Sequence, residues 1–508
     1  MQFVPLHDLL HSVEIFPQKS LVNPKIKKIS FNSKDVEKGS LFLGLPGEKY
    51  DGGIFWREAL NNGAEAAIIS QDAQKITGKV NTKKVLVLNK PLSNVYGQII
   101  AEFWNRPSSE LKIIGVTGTN GKTTVTFLLE YLFQKLGKKT ALFGTIFNRW
   151  PGYSEISSHT TDFADKLQPK LSAAKESQVD FVVMEVSSHS IAQKRISGCE
   201  FVGAIFTNLS QDHLDYHKNM KSYFLIKKEL FKPPFLKLKE GFSVINADNE
   251  WGIKLQNDLE SKCLMISTKD TNNKLKHKNY FYVSDKELTN SGSYCVLNTP
   301  KEQIKFFMPL VGEFNLMNAL QAITLLYELG FPLKKIIKAI EEFPGVPGRM
   351  EIIKISNKNN SLPNVIIDYA HTPDGLSKVL ESIKNFAEGK IITVFGCGGD
   401  RDSKKRSIMG SIAEELSDFI FITSDNPRTE DPQKIIDEIL SGIKNKVAIM
   451  IDIDRYSAIK KAINFAKNKD IVLIAGKGHE NYQILGNEII DFDDKKIATY
   501  ILNEKLNQ

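Results

Sequence analysis

Short apolar runs alternate with amphipathic segments along almost the whole chain. The runs have the length of β-strands, and the segments between them repeat apolar residues at helical spacing. The predicted strands are 41–43, 66–69, 85–88, 111–116, 140–143, 180–186, 203–207, 365–368, 390–395, 419–423, 447–451 and 471–475, and the clearest predicted helices are 55–61, 122–136, 315–329 and 333–343. Such alternation predicts parallel sheets covered by helices, while residues 279–308 predict a β-meander.

Two stretches rich in breakers divide the chain. One is the polar, proline-bearing joint at 106–109, and the other, at 343–348, interleaves prolines with glycines. At roughly 150 residues per domain, a chain of 508 residues has room for about three domains. We therefore predict an α/β protein with domains at 1–108, 109–345 and 346–508, the third of them doubly wound and Rossmann-like.

A glycine-rich loop lies between the first strand of the second domain and its long helix. This phosphate loop reads Gly118, Thr119, Asn120, Gly121, Lys122, Thr123 and Thr124. The glycines let backbone N–H groups face phosphate oxygens, and the helix N-terminus adds its positive dipole. The lysine would bridge the outer phosphates, and the first threonine hydroxyl would take a Mg²⁺ position. Val116 stands where the strict Walker pattern has glycine, so a shorter loop is predicted; a plain tight turn is the other interpretation.

Composition narrows the class of protein. Lys and Arg number 67 against 59 Asp and Glu, for a net charge of +8, and 42% of the residues are hydrophobic. These are values of an ordinary globular protein, which excludes fibrous structure and intrinsic disorder. The positive charge is dispersed rather than concentrated beside aromatic residues, so we expect no nucleic-acid partner.

Targeting and redox features are few. No apolar run approaches the roughly 20 residues that a bilayer requires, so we expect no membrane insertion. Residues 1–16 lack the basic flank and the cleavage site of a secretory signal, and a cytoplasmic protein is expected. The four cysteines form no close pair, so neither a zinc site nor a disulfide framework is indicated.

Six motifs resemble those of the muramyl-peptide (Mur) ligases, ATP-dependent amide-forming enzymes of bacterial peptidoglycan synthesis. They follow the family's order at 117–124, 184–189, 207–217, 312–315, 347–351 and 368–373. The resemblance implies a central P-loop parallel-sheet ATPase domain, flanked by an N-terminal UDP-substrate domain and a C-terminal Rossmann-like domain that binds an amino acid. It also implies ATP as co-substrate and Mg²⁺ as cofactor, and we expect a monomer.

Within the family, the chain most resembles the enzyme that adds the third amino acid. That enzyme joins a diamino acid to UDP-N-acetylmuramoyl-L-alanyl-D-glutamate through an acyl-phosphate. The motifs at 395–402, 425–428 and 476–480 carry this likeness. The Asp-Asn-Pro-Arg tetrapeptide resembles the version that uses meso-diaminopimelate, because lysine-using relatives lack its arginine. Lysine has no distal carboxylate, so a site with a buried, unpaired arginine should reject it.

The resemblance also implies catalytic and metal-binding residues. The implied catalytic residues are Lys122, His213 and Lys227, and the implied Mg²⁺ ligands are Thr123, Glu185, His213 and a carbamylated Lys227. From the residues alone, Glu185 ends an apolar strand, and its carboxylate is a hard oxygen ligand that suits Mg²⁺. Lys227, which Lys228 follows, would by itself be interpreted as a solvated helix residue.

Three sets of binding residues follow from the same resemblance. The nucleotide set is the phosphate loop with Asn315, Asn318, Arg349, Asp368 and Thr372. The UDP-substrate set is Ser33, Thr160, Thr161, Ser187, Gln193 and Arg195, with a turn at 47–52 where Glu48 replaces the usual histidine. The diaminopimelate set is Arg401, Asp425, Asn426, Pro427, Arg428, Gly476 and Glu480. Without the resemblance, Asn315 would be an N-cap and 426–428 an ordinary turn.

Other functions remain as alternatives. The lysine-adding homologue shares the chemistry, and Arg428 argues against it. Folylpolyglutamate synthetase shares the architecture, although its third-domain motifs differ. A non-catalytic nucleotide-binding regulator on the same fold belongs to another class, and we would expect it to have lost residues such as Lys122 and Glu185.

Overall fold

The structure is a computed structural model. It describes residues 3–47, 50–237, 239–269, 279–289, 291–355, 362–444 and 447–506. Glu48, in the turn predicted to contact the substrate nucleotide, lies outside the described residues. Within them, no helix is long and apolar enough to cross a membrane.

The first hundred residues form a small parallel sheet with helices around it. The strands of residues 3–110 are β1 (Val4–Pro5), β2 (Lys25–Ile26), β3 (Lys28–Ser30), β4 (Ser40–Leu43), β5 (Ala64–Ser70) and β6 (Val85–Leu88), and the helices are α1 (Leu6–His11), α2 (Trp56–Asn61), α3 (Gln71–Thr77), α4 (Tyr96–Phe103) and α5 (Pro107–Glu110). Strands β3 to β6 pair in chain order, all parallel, while β1 and β2 form a separate antiparallel pair. Apolar side chains cover both faces of the four-stranded sheet.

The middle of the chain builds an eleven-stranded sheet. Its strands are β7 (Ile113–Thr117), β8 (Thr140–Phe143), β9 (Phe147–Trp150), β10 (Tyr153–Ile156), β11 (Phe181–Glu185), β12 (Gly203–Phe206), β13 (Phe242–Asn246), β14 (Lys262–Ser267), β15 (Tyr280–Thr289), β16 (Gly292–Asn298) and β17 (Gln303–Met308). They lie in the order β10-β9-β8-β11-β7-β12-β13-β14-β15-β16-β17. In this order, all neighbouring strands from β8 through β11, β7, β12, β13 and β14 to β15 are parallel. The outer strands β10 and β9 at one edge and β16 and β17 at the other pair antiparallel, because short turns connect them.

Helices cover both faces of this central sheet. They are α6 (Lys122–Lys135), α7 (Ala164–Glu176), α8 (Ser188–Ala192), α9 (Leu214–His217), α10 (Met220–Lys228), α11 (Glu250–Asn257), α12 (Glu313–Glu328) and α13 (Leu333–Ile340). Two apolar cores result, one under α6, α12 and α13 and one under α7 and α10. The predicted meander at 279–308 is confirmed as β15, β16 and β17.

The last third of the chain forms a six-stranded sheet. Its strands are β18 (Glu351–Ile352), β19 (Asn364–Asp368), β20 (Ile391–Phe395), β21 (Phe419–Ile422), β22 (Ala448–Ile451) and β23 (Ile471–Ala475), with a separate hairpin of β24 (Tyr482–Leu485) and β25 (Glu488–Asp491). Its helices are α14 (Pro373–Lys384), α15 (Lys404–Leu416), α16 (Pro432–Leu440), α17 (Arg455–Phe465) and α18 (Asp494–Leu506). The order β18-β19-β23-β20-β21-β22 is parallel except at β18.

The structure confirms the predicted α/β class. It adds strands that the sequence analysis did not predict, among them β9, β10, β13, β14, β24 and β25, and some predicted helix ends also differ. Helix α12 begins two residues before the predicted start, at Glu313, with Gly312 as its N-cap. Asn315 is therefore inside the helix, and its interpretation as an N-cap is wrong. Helix α13 ends at Ile340 rather than at 343, just before the stretch rich in proline and glycine.

Candidate active site

The phosphate loop leaves β7 at the centre of the middle sheet. Gly118 has φ 152° and Gly121 has φ 87°, conformations that favour glycine. A Cβ atom on Gly118 would lie 1.8 Å from the Thr207 Oγ1 atom, and one on Gly121 would lie 2.5 Å from the Asn318 Oδ1 atom. The loop therefore needs glycine at both positions, both for its turn and for the close approach of its neighbours.

Lys122 begins α6 and folds back over the phosphate loop. Its Nζ atom donates to the carbonyl oxygens of Gly118 at 2.9 Å and Thr119 at 2.8 Å. Burial lowers the pKa of Lys122, and the Glu185 and Asp212 carboxylates oppose that shift. The ammonium group thus lies where it would meet the outer phosphates of a bound nucleotide.

A cavity of about 510 Å³ opens beside this loop, between the middle sheet and the last domain. It contains most of the predicted nucleotide and metal residues. Those that line it are Thr119, Asn120, Gly121, Lys122, Thr123, Thr124, Glu185, His213, Asn318, Arg349 and Asp368, and the predicted substrate residue Thr160 lines it as well. Folding therefore brings together side chains from parts of the sequence as far apart as Thr119 and Asp368.

Glu185 is the last residue of β11, and His213 lies in the loop between β12 and α9; β11 and β12 are the two strands that flank β7. The buried Glu185 carboxylate accepts hydrogen bonds from Thr145, from the backbone N–H and the Oγ1 hydroxyl, each at 2.9 Å. His213 has φ 53°, and its Nε2 atom lies 3.2 Å from the Asp212 carboxylate. Burial lowers the pKa of His213 to about 3, so its imidazole is neutral near pH 7, the form that binds metals.

Among the described residues, no three His, Cys, Asp or Glu side chains form a metal site by themselves. Proteins usually hold Mg²⁺ through one or two carboxylates, with substrate phosphates and water completing the shell. Glu185, His213 and the Thr123 hydroxyl line the same cavity, so these three side chains could contribute to such a shell.

Lys227 is buried, which corrects its interpretation as a solvated residue. Only 1% of its surface is exposed, and its Nζ atom donates to the Gly118 carbonyl oxygen at 2.9 Å. Burial, with the nearby Lys122 cation, lowers the pKa of Lys227 well below its usual range. Lys228, in contrast, forms an ion pair with Asp258 near the surface. Of the two adjacent lysines, Lys227 is therefore the one that lies buried against the phosphate loop, as the family resemblance implies.

The last domain contributes two groups to the cavity beside the loop. An Arg349 Nη2 atom donates to the Thr123 Oγ1 atom at 3.2 Å, and the guanidinium lies over the Tyr369 ring at 4.3 Å. Asp368 accepts a hydrogen bond from the Met350 backbone N–H at 2.7 Å. Burial raises the pKa of Asp368 to about 6, and Arg349 partly offsets that shift.

Two predicted nucleotide residues lie behind the cavity wall. Asn315 is buried, donates to the Val311 carbonyl oxygen and accepts a hydrogen bond from Asn318 at 3.2 Å. Thr372 is the N-cap of α14, where its hydroxyl accepts from the Gly375 backbone N–H. Of the Asn315–Asn318 pair, the structure brings Asn318 to the cavity, and Asn315 orients it from behind.

Five of the predicted UDP-substrate residues form one connected group, the Arg195 cluster. Its members are Thr160, Thr161, Ser187, Gln193 and Arg195. Arg195 donates to the Thr161 carbonyl oxygen at 3.0 Å and to the Gln193 side chain at 2.6 and 2.9 Å. Thr161 donates to the Glu185 carbonyl oxygen and accepts from the Ser187 backbone N–H. The cluster therefore continues directly from the strand that carries Glu185.

The sixth residue, Ser33, belongs to the first domain. Its buried hydroxyl donates to the Glu58 carboxylate at 2.8 Å. Tyr96, which sequence reasoning missed, connects this domain to the Arg195 cluster, because its hydroxyl donates to the Gln193 carbonyl oxygen at 3.0 Å. Its ring also packs edge-on against Phe31, two residues before Ser33.

The diaminopimelate set comes together at the carboxyl ends of β20, β21 and β23. We call the segments 398–401, 425–428 and 476–480 the three-loop cluster. The Asn426 side chain donates to the Glu480 carboxylate at 2.9 Å, and its Oδ1 atom accepts from the Ile484 backbone N–H at 3.0 Å. Gly476 has φ 113°, and a Cβ atom there would lie 2.6 Å from the Asp425 carboxylate. The loops therefore touch one another.

Two arginines lie in the three-loop cluster. Arg428 has φ 54° and donates to the Gly399 carbonyl oxygen at 2.8 Å, and Arg401 donates to the Asp400 carbonyl oxygen at 3.0 Å. Within the part of the chain that the structure describes, neither guanidinium pairs with a carboxylate. Both are therefore available to a carboxylate ligand, which arginine can bind through two parallel hydrogen bonds.

Lys477 is a further member of the cluster that sequence reasoning missed. It is fully buried, and its Nζ atom lies 3.0 Å from the Glu480 carboxylate and 3.3 Å from the Asn426 Oδ1 atom. Burial raises the pKa of Glu480, and the Lys477 cation partly offsets that shift. The signal was present in the Gly-Lys-Gly-His-Glu motif, but only the fold brings this lysine beside 425–428.

Family models match most of the chain. The Mur ligase middle domain matches residues 116–326, the Mur ligase glutamate ligase domain matches 348–478, and the Mur ligase family catalytic domain matches 25–116. A UDP-N-acetylmuramoyl-L-alanyl-D-glutamate--2,6-diaminopimelate ligase of Prochlorococcus marinus subsp. pastoris is 62% identical over 507 residues, 99% of each chain. The chain belongs to the Mur ligase family.

Solved structures agree with this assignment. This Mur ligase matches a structure of UDP-N-acetylmuramoyl-L-alanyl-D-glutamate--2,6-diaminopimelate ligase at 31% identity and a TM-score of 0.68, over 99% of both chains. It shares its fold with the ADP-bound MurF ligase of Thermotoga maritima, at 16% identity and a TM-score of 0.62, over 97% of this chain and 99% of that one. The family resemblance is thus confirmed, and the protein is an ATP-dependent ligase.

Proposed function

We propose that this Mur ligase adds meso-diaminopimelate to the D-glutamate of UDP-N-acetylmuramoyl-L-alanyl-D-glutamate, as a cytoplasmic monomer. The observation that carries the proposal is the pair of arginines in the three-loop cluster, Arg401 and Arg428, without carboxylate partners among the described residues. A diamino acid with a distal carboxylate supplies that partner. The 62% identical Prochlorococcus marinus relative bears the name of this activity.

In the first step, ATP phosphorylates the D-glutamyl side-chain carboxylate. We infer that the phosphate loop holds the nucleotide phosphates and that Lys122 neutralises charge between the two anions. Asn318 and Asp368 would contact the adenosine, and Arg349, beside Thr123, would contact the phosphates.

Glu185, His213 and Thr123 would hold Mg²⁺, with a carbamylated Lys227 as a further ligand. Mg²⁺ would offset the negative charge of the phosphates and of the reacting carboxylate. The lowered pKa of Lys227 supports this role, because only a neutral amine reacts with CO₂. A carbamate on Lys227 would also place an anion close to the Lys122 cation, beside the phosphate loop.

In the second step, the diaminopimelate amine attacks the acyl-phosphate, and the tetrahedral intermediate loses phosphate. We infer that the Arg195 cluster holds the UDP-muramoyl-dipeptide and that Ser33 and the first domain hold its uridine. Arg428 and Arg401 would bind the distal carboxylate, and Asp425, Asn426 and Glu480 the distal ammonium group. Catalysis then depends mainly on positioning and electrostatics.

The test is ATP-dependent phosphate release with the UDP-muramoyl-dipeptide and either meso-diaminopimelate or L-lysine. Release with diaminopimelate alone is expected. Release with lysine at equal efficiency would favour the lysine-adding homologue and contradict the roles of Arg401 and Arg428. Release with neither amino acid would contradict the proposed reaction.

A further inference from the structure

A buried ion pair lies directly beneath the three-loop cluster. Arg455, the first residue of α17, donates two hydrogen bonds to Asp494, the first residue of α18, at 2.8 and 2.7 Å. Both side chains are wholly shielded from solvent. Neither residue lies in the motifs described above, and neither is placed to contact a substrate.

The same guanidinium reaches two strand ends. Arg455 donates to the Ser424 carbonyl oxygen at 3.3 Å and to the Ala475 carbonyl oxygen at 3.0 Å. Ser424 directly precedes Asp425, and Ala475 directly precedes Gly476, so each bond holds the last residue before a loop of the cluster. One side chain therefore fixes the spacing of two loops from different strands, β21 and β23.

The two loops leave little room for adjustment. The Asp425 carboxylate lies where a Cβ atom on Gly476 would clash, at 2.6 Å. The Gln483 side chain also binds the Asp425 carbonyl oxygen, at 2.7 Å. A shift of either strand end would therefore move Asp425 relative to Gly476 and Glu480, the groups that would receive the ammonium group.

We propose that Arg455 and Asp494 are positioning residues of the amino-acid pocket. They couple α18 to two strand ends and set the separation of loops 425–428 and 476–480. The inference rests on the proposed function, because it expects that loss of the pair weakens binding of the incoming diamino acid. Misplacing a binding group by about 1 Å can lower the rate about 100-fold.

The test compares an apolar replacement of the pair with a matched control. In the Arg455→Met/Asp494→Leu double variant, apolar side chains replace both charged ones, a kind of change that folded proteins often tolerate. The KM for diaminopimelate should rise about 10- to 100-fold, while the KM values for ATP and the UDP-muramoyl-dipeptide stay within about twofold. At saturating diaminopimelate, kcat should fall far less than kcat/KM.

The control is a second bidentate arginine–carboxylate pair, Arg149 with Glu130, in the middle domain. An Arg149→Met/Glu130→Leu variant makes the same chemical change there and should leave all three KM values near wild type. An Asp494→Asn variant keeps the shape and one acceptor oxygen, and it should give a smaller rise in the KM for diaminopimelate.

Each outcome decides the question. If the wild-type protein uses no diaminopimelate, the proposed function fails, whatever the variants do. If the wild type is active and the folded Arg455/Asp494 variants keep the wild-type KM for diaminopimelate, the positioning role is overturned. Unfolding of both variants while the control pair folds also overturns it, because the pair would then support the whole domain rather than the pocket.

Discussion

The phosphate loop and the three-loop cluster both lie at the carboxyl ends of parallel strands, but they are assembled differently. The phosphate loop is seven consecutive residues that run from the end of β7 into the first turn of α6. The three-loop cluster collects residues from 398 to 480 and rests on Arg455 and Asp494 from two further helices. A phosphate group can be bound by the backbone N–H groups of one short segment, so a site of this kind can be encoded by neighbouring residues. Recognition of a diamino acid with charges at both ends needs groups farther apart than one loop can supply.

The largest effect is expected at Lys122. A Lys122→Met variant should lose about 10³-fold in kcat, because it removes the charge that stabilises the transferring phosphoryl group. Phosphate release at saturating substrates measures this loss. Lys135→Met, at the exposed end of the same helix, is the control and should retain full activity. A loss below about tenfold would contradict the central role of the loop.

The next largest effect, a loss of about 100-fold in kcat, is expected at Lys227. Lys227→Met should lose activity, and the wild type should lose activity reversibly when CO₂ is removed and regain it with bicarbonate. The variant should not respond to bicarbonate. The adjacent Lys228→Met, whose lysine pairs with Asp258 at the surface, tests the register and should behave as wild type. Activity that never depends on bicarbonate would exclude carbamylation.

Substitution of Arg428 tests the three-loop cluster, as substitution of Lys122 tests the phosphate loop. Arg428→Ala should raise the KM for diaminopimelate about 10- to 100-fold, because hydrogen bonds between charged groups contribute about 1.5–3 kcal/mol. The KM for ATP should not change, which separates the two ends of the site. Steady-state kinetics with each substrate varied in turn measure both values. Arg57→Ala, on the surface of the first domain, is the control and should leave the KM for diaminopimelate unchanged. An unchanged KM for diaminopimelate in the Arg428→Ala variant would contradict the site assignment.

Asp368 should give a smaller, pH-dependent effect. Its pKa of about 6 lies above the ordinary 3.8, so the folded state binds the proton more tightly and loses stability as the pH rises from about 4 through 6. Asp368→Asn should therefore raise the free energy of unfolding above pH 6, with no gain below pH 4, while the KM for ATP rises about tenfold. Urea unfolding at both pH values and ATP kinetics measure the two effects. Equal gains at both pH values would contradict the assigned pKa.

The smallest effect is expected where the last domain contacts the phosphate loop. The Asp374 carboxylate accepts from the Asn120 side chain at 2.7 Å and from the Ser210 hydroxyl at 3.1 Å. Asp374→Ala should lower kcat/KM for ATP about fivefold, which corresponds to a net loss of about 1 kcal/mol, the typical contribution of one hydrogen bond. Lys384→Ala, exposed on the same helix, is the control. A loss as large as that of Lys122→Met would mean that domain contact, rather than the loop, dominates nucleotide binding.

The sequence by itself was enough for many of the elements and for contiguous motifs. The alternation of apolar runs and amphipathic segments predicted the parallel sheets, because strand and helix periodicity are local properties. The phosphate loop was predictable for the same reason, since its glycines, Lys122 and Thr123 are neighbours in the chain. Family resemblance added residues far apart in sequence, such as Glu185 and Arg428.

Only the tertiary structure decided which of these residues share a cavity and which support them. It buried Lys227, brought Asn318 rather than Asn315 to the cavity, and added Tyr96, Lys477 and Arg455. These outcomes depend on packing and burial between distant segments, which no local pattern records. Burial also lowers the pKa values of Lys227 and His213, because desolvation acts only after the chain has folded around them.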